Sequence, residues 1–260
     1  MSTAHQIVLV TGGTGGLGKA IAKLYIARGA QVVITGRDES KLHHVKSEFG
    51  FPDTLHTYQL DVTNNEAVRA FAAWVKIRFE RCDILYNNAG TASFKAFSDM
   101  TVDEIHEMIS VNITGLLYVT RAFLPLMRQT GSGHIVNIAS LAGRVATAKA
   151  SVYAACKAAV IRFSESLSHE LREYGLNVTC VLPGPIDTAF LDRADETGNY
   201  RQRIRRYLLT PEKAAHIIIR GVEAKKAEIV MPKRLQLMSA VYQILPEFWK
   251  KRMAPWINRK

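Results

Sequence analysis

The sequence predicts an α/β domain, doubly wound, with a seven-stranded parallel sheet and helices on both faces. Three observations carry this. Short β-branched runs alternate with longer amphipathic stretches along the chain, a glycine-rich turn stands between the first run and the first helical stretch, and no repeat, low-complexity tract or Pro/Gly/Ser linker interrupts the alternation. Strict alternation of this kind implies parallel strands joined by crossover helices. The chain has 260 residues, 48% hydrophobic and 22% charged, enough to bury one large core.

The strands expected in order are Ile7–Thr11, Gln31–Thr35, Leu55–Leu60, Asp83–Tyr86, His134–Ser140, Asn177–Leu182 and Glu228–Met231. Between them the 3.6-residue period of apolar positions predicts helices over Leu17–Arg28, Glu39–Phe49, Glu66–Phe79, Val102–Met127, Ser151–Tyr174 and Pro211–Ala224. Residues 1–232 then form one domain, with 233–260 a basic amphipathic extension of it.

Composition narrows the partners. A formal net charge of +11 suits an anionic ligand or surface. No nucleic-acid recognition motif accompanies it, and nucleic acid is not expected as a partner. Cys82, Cys156 and Cys180 are isolated, with neither a C-x-x-C pair nor metal-ligand spacing, and read as free thiols in a reducing compartment. Cys156 is expected to be a small packing residue. The chain passes from Met1 into Ile7-Val-Leu-Val10 without room for a signal peptide, and no uninterrupted apolar run approaches the roughly 18 residues that span a bilayer. A cytoplasmic protein is expected, and the Asn-x-Thr sequons at Asn112 and Asn177 carry no glycan in that setting.

Two stretches carry chemistry. Thr11-Gly-Gly-Thr-Gly-Gly-Leu-Gly18 follows the first strand and opens the first helix. Glycines there let the turn tighten and the backbone approach a pyrophosphate, which then sits at the positive end of the helix. The second stretch is Tyr153-Ala-Ala-Cys-Lys157, preceded by Ser140 at the end of an apolar run. On a helix, Tyr153 and Lys157 lie one turn apart on one face. A fixed cation near a phenol stabilises its phenolate, which makes a tyrosine usable as a general acid/base.

With Asn87-Asn-Ala-Gly90, Asn112 and Pro183-Gly184-x-x-x-Thr188 added, six motifs stand in the order and approximate spacing of the short-chain dehydrogenases/reductases, which the chain resembles over about residues 5–232. The resemblance implies a Rossmann-like fold, a homo-oligomer and a dinucleotide cofactor. It assigns the pyrophosphate to Gly12, Thr14, Gly16, Leu17 and Gly18, and adenine contacts to Asp61 and Val62. Asn88, Ala89 and Gly90 support the adenosine ribose and the central sheet, though Asn87 and Asn88 also read as plain turn residues. Ile186 and Thr188, in the turn that starts at Pro183 and Gly184, meet the nicotinamide carboxamide. Tyr153 is the general acid/base, Lys157 tunes it and holds the nicotinamide ribose, Ser140 orients the reacting oxygen, and Asn112 binds a water that relays protons to the lysine.

Cofactor choice is read after the second strand. An NAD site places a carboxylate there for the ribose 2′-hydroxyl, whereas this chain has Gly36 followed by Arg37. Arginine grips a phosphate bidentately, so NADP(H) is preferred over NAD(H). The expected substrate is a small carbonyl or alcohol under a lid at 188–210, walled by Phe94, Phe97, Val145, Phe190 and Leu191. Arg201, Arg203, Arg205 and Arg206 of the lid read as a solvated face or, with Arg144, as holders of an anionic substrate group. A non-catalytic NADP(H)-binding redox-sensing module is the alternative function. In the extension, Leu235, Met238, Tyr242, Leu245 and Trp249 form a helical stripe broken near Pro246. It suits packing on a subunit or over the cleft mouth; peripheral membrane contact through 234–260 stays open.

Overall fold

A computed structural model describes residues 6–195, 198–246, 248–250 and 252. Seven parallel strands form one sheet in the order β3-β2-β1-β4-β5-β6-β7. They are β1 Ile7–Val10, β2 Gln31–Gly36, β3 Leu55–Gln59, β4 Ile84–Asn87, β5 Gly133–Ile138, β6 Leu176–Pro183 and β7 Glu228–Met231. The strand order reverses between β1 and β4. Open α/β sheets bind their ligands outside the carboxyl ends of the strands at such a point.

The helices between the strands are α1 Gly16–Ile26, α2 Glu39–Glu48, α3 Asn65–Phe79, α4 Val102–Ile109, α5 Leu116–Gln129, α6 Ser151–Leu171 and α9 Pro211–Glu223, with α7 Ala189–Ala194 and α8 Asn199–Ile204 in the expected lid. A last helix, α10 Lys233–Ile244, follows β7. The two-residue alternation of strand side chains decides which helix each strand residue meets. Val8, Val10, Val32, Ile34 and Tyr86 turn toward α1, α2 and α9, whereas Ile7, Leu9, Val33, Leu85 and Ile135 turn toward α3, α5 and α6. Both sheet faces are therefore dry, which explains why the central strands read as continuous apolar runs.

Helix starts follow local chemistry. Asp38, Asn64, Thr101 and Thr210 each accept a backbone N–H of the helix they precede, and Thr101 with Glu104 completes a capping box. At α1 the N-cap is Gly15, which has no side chain to cap the first amides.

Two expectations need correcting. The predicted helix Val102–Met127 is not uniform: Ser110–Gly115 forms a π-helical segment between α4 and α5. The predicted helix Ser151–Tyr174 ends at Leu171 and closes with a 3₁₀ turn, Arg172–Tyr174. Val102–Gln129 is long and apolar enough to cross a membrane by length and composition, although charged and polar residues interrupt it. In this fold it is a core helix, with Val119, Phe123, Leu126 and Met127 buried against the sheet.

Candidate active site

A cleft of about 1730 Å³ opens along the carboxyl ends of the central strands. It is larger than the roughly 300–1,000 Å³ of a typical small-molecule pocket, so a dinucleotide and a second ligand fit together. A smaller hollow of about 460 Å³, lined by Arg121, Leu124, Pro125 and Arg128 on α5, carries none of the groups described below.

One end of the cleft is built by the glycine turn. Gly12 has φ +63, and a Cβ there would stand 2.9 Å from Ala89 Cα, so the turn lies directly on the loop after β4. Thr11 and Asn88 fix that contact. Thr11 Oγ1 accepts the amides of Asn88 and Ala89 at 3.0 Å each, and Asn88 Nδ2 donates to Thr11 O at 2.9 Å and Gly12 O at 3.1 Å. Asn88 therefore does more than shape its own turn. Asn87 points the other way, donating to Thr120 Oγ1 and Asn137 Oδ1 at 2.8 Å each.

Gly12, Thr14, Gly16, Leu17 and Gly18 all line the cleft, as do Asn88, Ala89 and Gly90. The uncapped first amides of α1 are thus at the cleft wall, where the positive end of a helix favours an anion. Thr35 Oγ1 is buried beside them with no hydrogen-bond partner among the described residues. A bound polyphosphate fits this donor-rich cradle. Asp61 and Val62 line the next stretch, and Asp61 Oδ1 is engaged by Thr63 through its amide at 2.9 Å and its hydroxyl at 2.8 Å. Arg37 also lines the cleft, is exposed, and faces Glu107 of α4 at 3.6 Å. Glu107 was missed by sequence reasoning. It lies 70 positions from Arg37, and no local pattern connects them.

At the centre are Ser140, Tyr153 and Lys157, all in the cleft wall. Tyr153 and Lys157 share one face of α6 and are 8% and 5% exposed. Lys157 Nζ is 5.7 Å from the centre of the Tyr153 ring and donates to Ile138 O at 3.0 Å. Burial lowers the Lys157 pKa from 10.5 to about 8. Ser140 Oγ accepts the Ala142 amide at 3.1 Å. Phe94 and Phe190 flank the Tyr153 ring at 5.9 and 6.2 Å between centres, an apolar setting for the phenol.

Asn112 is 1% exposed and is not part of the cleft wall. In the π-helical segment its Nδ2 donates to Thr91 O and Met108 O at 2.8 Å each, and its Oδ1 accepts the Thr91 amide at 3.3 Å. A Cβ placed on Gly90 would meet Asn112 Oδ1 at 3.0 Å and Lys157 Nζ at 3.6 Å. Asn112 thus stands behind Gly90, bracing the loop that separates it from the cleft.

The far end is closed by the segment after β6 and by α10. Pro183, Gly184, Ile186 and Thr188 line the cleft, and Ile186 pairs with Leu209 so that the lid begins and ends side by side. Phe94, Val145, Phe190 and Leu191 are cleft walls as expected, but Phe97 is not: it is 64% exposed on a 3₁₀ turn outside the cleft. Among the arginines, Arg203 and Arg206 reach the cleft, joined by Arg193, which sequence reasoning missed. Arg205 lies outside it. Arg144 is paired with Glu228, and Arg201 with Asp187 and Asp192, so neither is placed to hold a substrate anion. Cys156 is buried packing, with Sγ 3.7 Å from Met108 O, and burial raises its thiol pKa. Leu235, Met238 and Tyr242 of α10 complete the wall.

Comparison with known proteins agrees with this geometry. A profile of the family described as short chain dehydrogenase matches residues 6–199. An uncharacterized oxidoreductase of Staphylococcus aureus is 40% identical over 184 residues, which cover 71% of this chain and 79% of that one. A short-chain dehydrogenase from Streptomyces avermitilis superposes with a TM-score of 0.82 at 30% identity, covering 98% of this chain and 97% of that chain. A serine dehydrogenase solved in its closed form with NADP+ gives 0.79 at 35% identity, covering 87% and 94%. The family profile, the relatives and the shared fold agree, and the chain belongs to the short-chain dehydrogenase/reductase family.

Proposed function

We propose that this protein transfers a hydride between NADP(H) and a carbonyl or secondary alcohol, with Tyr153 as the general acid/base. The observation that carries the reading is the placement of Tyr153 and Lys157. Both are buried, on one face of α6, and in the wall of the same cleft as Ser140 and the glycine turn.

The nicotinamide, when bound, supplies or accepts the hydride. In the reductive direction Tyr153 Oη gives its proton to the carbonyl oxygen as negative charge develops there. Ser140 Oγ donates a hydrogen bond to the same oxygen and orients it. Lys157 stabilises the phenolate left behind and holds the nicotinamide ribose. Asn112 is a positioning residue: it braces the Gly90–Thr91 loop beside the ammonium. Gly12, Thr14, Gly16, Leu17 and Gly18 take the pyrophosphate, Asn88, Ala89 and Gly90 the ribose, Asp61 and Val62 the adenine. Pro183, Gly184, Ile186 and Thr188 take the carboxamide end.

NADP(H) is favoured by Arg37. It is exposed at the cleft wall, its neighbour Gly36 brings no carboxylate, and its contact with Glu107 is long enough to yield to a phosphate.

The test is NADPH oxidation over a panel of aldehydes and ketones, with Tyr153→Phe and Arg37→Asp beside the wild type. Tyr153→Phe should lower kcat by roughly 10²–10⁴ while leaving NADPH binding intact. Arg37→Asp should weaken NADPH binding about 10–100-fold and spare NADH, the loss of a charge-assisted pair. Tight NADPH binding without turnover of any carbonyl would leave the redox-sensing module instead. Unchanged cofactor preference in Arg37→Asp would remove the argument for NADP(H).

A further inference from the structure

The helix α10 edges the cleft mouth and is only partly covered there. Leu235, Leu237, Met238, Val241 and Tyr242 line the cleft, yet Leu237, Met238 and Val241 stay 69%, 62% and 44% exposed, and Ile244, outside the cleft lining, is 82% exposed. Beyond the break at Pro246 the apolar surface continues with Phe248 and Trp249, 70% and 51% exposed, their rings 5.8 Å apart. Large apolar side chains left in water along one edge of a helix mark an interaction surface. Soluble monomers rarely leave several large apolar side chains this exposed close together in the chain unless they meet a partner or a membrane.

Charge identifies the occupant. Residues 233–260 hold seven basic residues against one acidic, a net +6 of the +11 carried by the whole chain. Lys233, Arg234 and Arg252 are exposed, and Lys250 lies 5.7 Å from the centre of the Tyr242 ring. A second copy of this chain, meeting the first by the same patch, would set these cations against themselves. Aliphatic and aromatic side chains within a basic rim match the depth and charge of an anionic lipid surface.

We propose that α10 and the turn after Pro246 form an interfacial docking surface for anionic lipid bilayers, beside the mouth of the cleft. The docking itself needs no turnover. Only its use, in admitting apolar carbonyls dissolved in the bilayer, rests on the function proposed above.

The test is flotation of the full chain with vesicles of phosphatidylcholine alone and of phosphatidylcholine with about 30% phosphatidylglycerol. Wild type should float with the anionic vesicles at least fivefold more than with the neutral ones. The pair Ile244→Glu/Phe248→Glu and the pair Lys250→Glu/Arg252→Glu should each lose most of that flotation. NADPH fluorescence titration, unchanged in both pairs, verifies that the cleft and fold are intact. Equal partitioning into both vesicles, retention by the two variants, or a dimer that either variant dissociates would overturn the proposal.

Discussion

At Lys157, burial and function pull against each other. Loss of water lowers its pKa to about 8, so at neutral pH the fold holds a buried cation. The sign follows from proton counting. Between about 8 and the unfolded value of 10.5 the unfolded chain binds more protons, so stability rises with pH through that window, and the destabilisation is fully present below about 8. A shift of this size corresponds to about 3 kcal/mol. For carbonyl reduction kcat/KM should fall as pH rises through about 8, where the ammonium beside Tyr153 is lost. Lys157→Arg keeps its charge to far higher pH and should move that alkaline limb upward, at some cost in rate because guanidinium geometry differs. A pH–rate profile unchanged by Lys157→Arg would detach the limb from this residue. The sequence made the Tyr153–Lys157 pairing legible, because helical spacing alone sets it. It could not supply the burial or the Ile138 carbonyl that accepts from the ammonium, since both come from β5 and its loop.

Among the elements, the π-helical segment Ser110–Gly115 shapes the site most. It places Asn112 behind Gly90 and lets Gly115 press against Val62, where a Cβ would stand 2.6 Å from Val62 Cγ2 and 3.1 Å from Val62 O. Val62 is a cleft wall. Gly115→Ala should therefore destabilise the fold by about 1–3 kcal/mol through overpacking. It should also raise the KM for NADPH several-fold while kcat holds, because the adenine end moves and Tyr153 does not. A thermal melt and a cofactor titration check the two halves, and a variant that melts and binds like wild type would refute the contact. Apolar periodicity gave a helix here and no more. A π segment changes the register by one residue, and what pins it, Asn112 bonded to Thr91 and Met108, is partly a tertiary arrangement.

For the molecule as a whole, charge and topology act together. A chain of net +11 whose cleft is edged by Arg37, Arg193, Arg203 and Arg206 should draw a polyanionic dinucleotide from a distance. Raising ionic strength from about 0.01 to about 0.15 M shortens the screening length from about 30 to about 8 Å, and should slow NADPH association roughly tenfold with little change in dissociation. Stopped-flow fluorescence measures both, and a salt-independent association rate would show the charge too dispersed to steer. Alternation of β-branched runs with helical stretches determined the doubly wound sheet, and the glycine turn and the Tyr-x-x-x-Lys spacing marked two stretches that the fold brings into the wall of one cleft; these are local patterns that backbone geometry alone interprets. Only the tertiary structure decided that Phe97 stays outside, that Arg144 and Arg201 are already paired, that Glu107 answers Arg37 and that α10 closes the cleft. Those outcomes depend on groups far apart in the chain meeting across the sheet's edge, where burial and charge choose partners that sequence spacing does not encode.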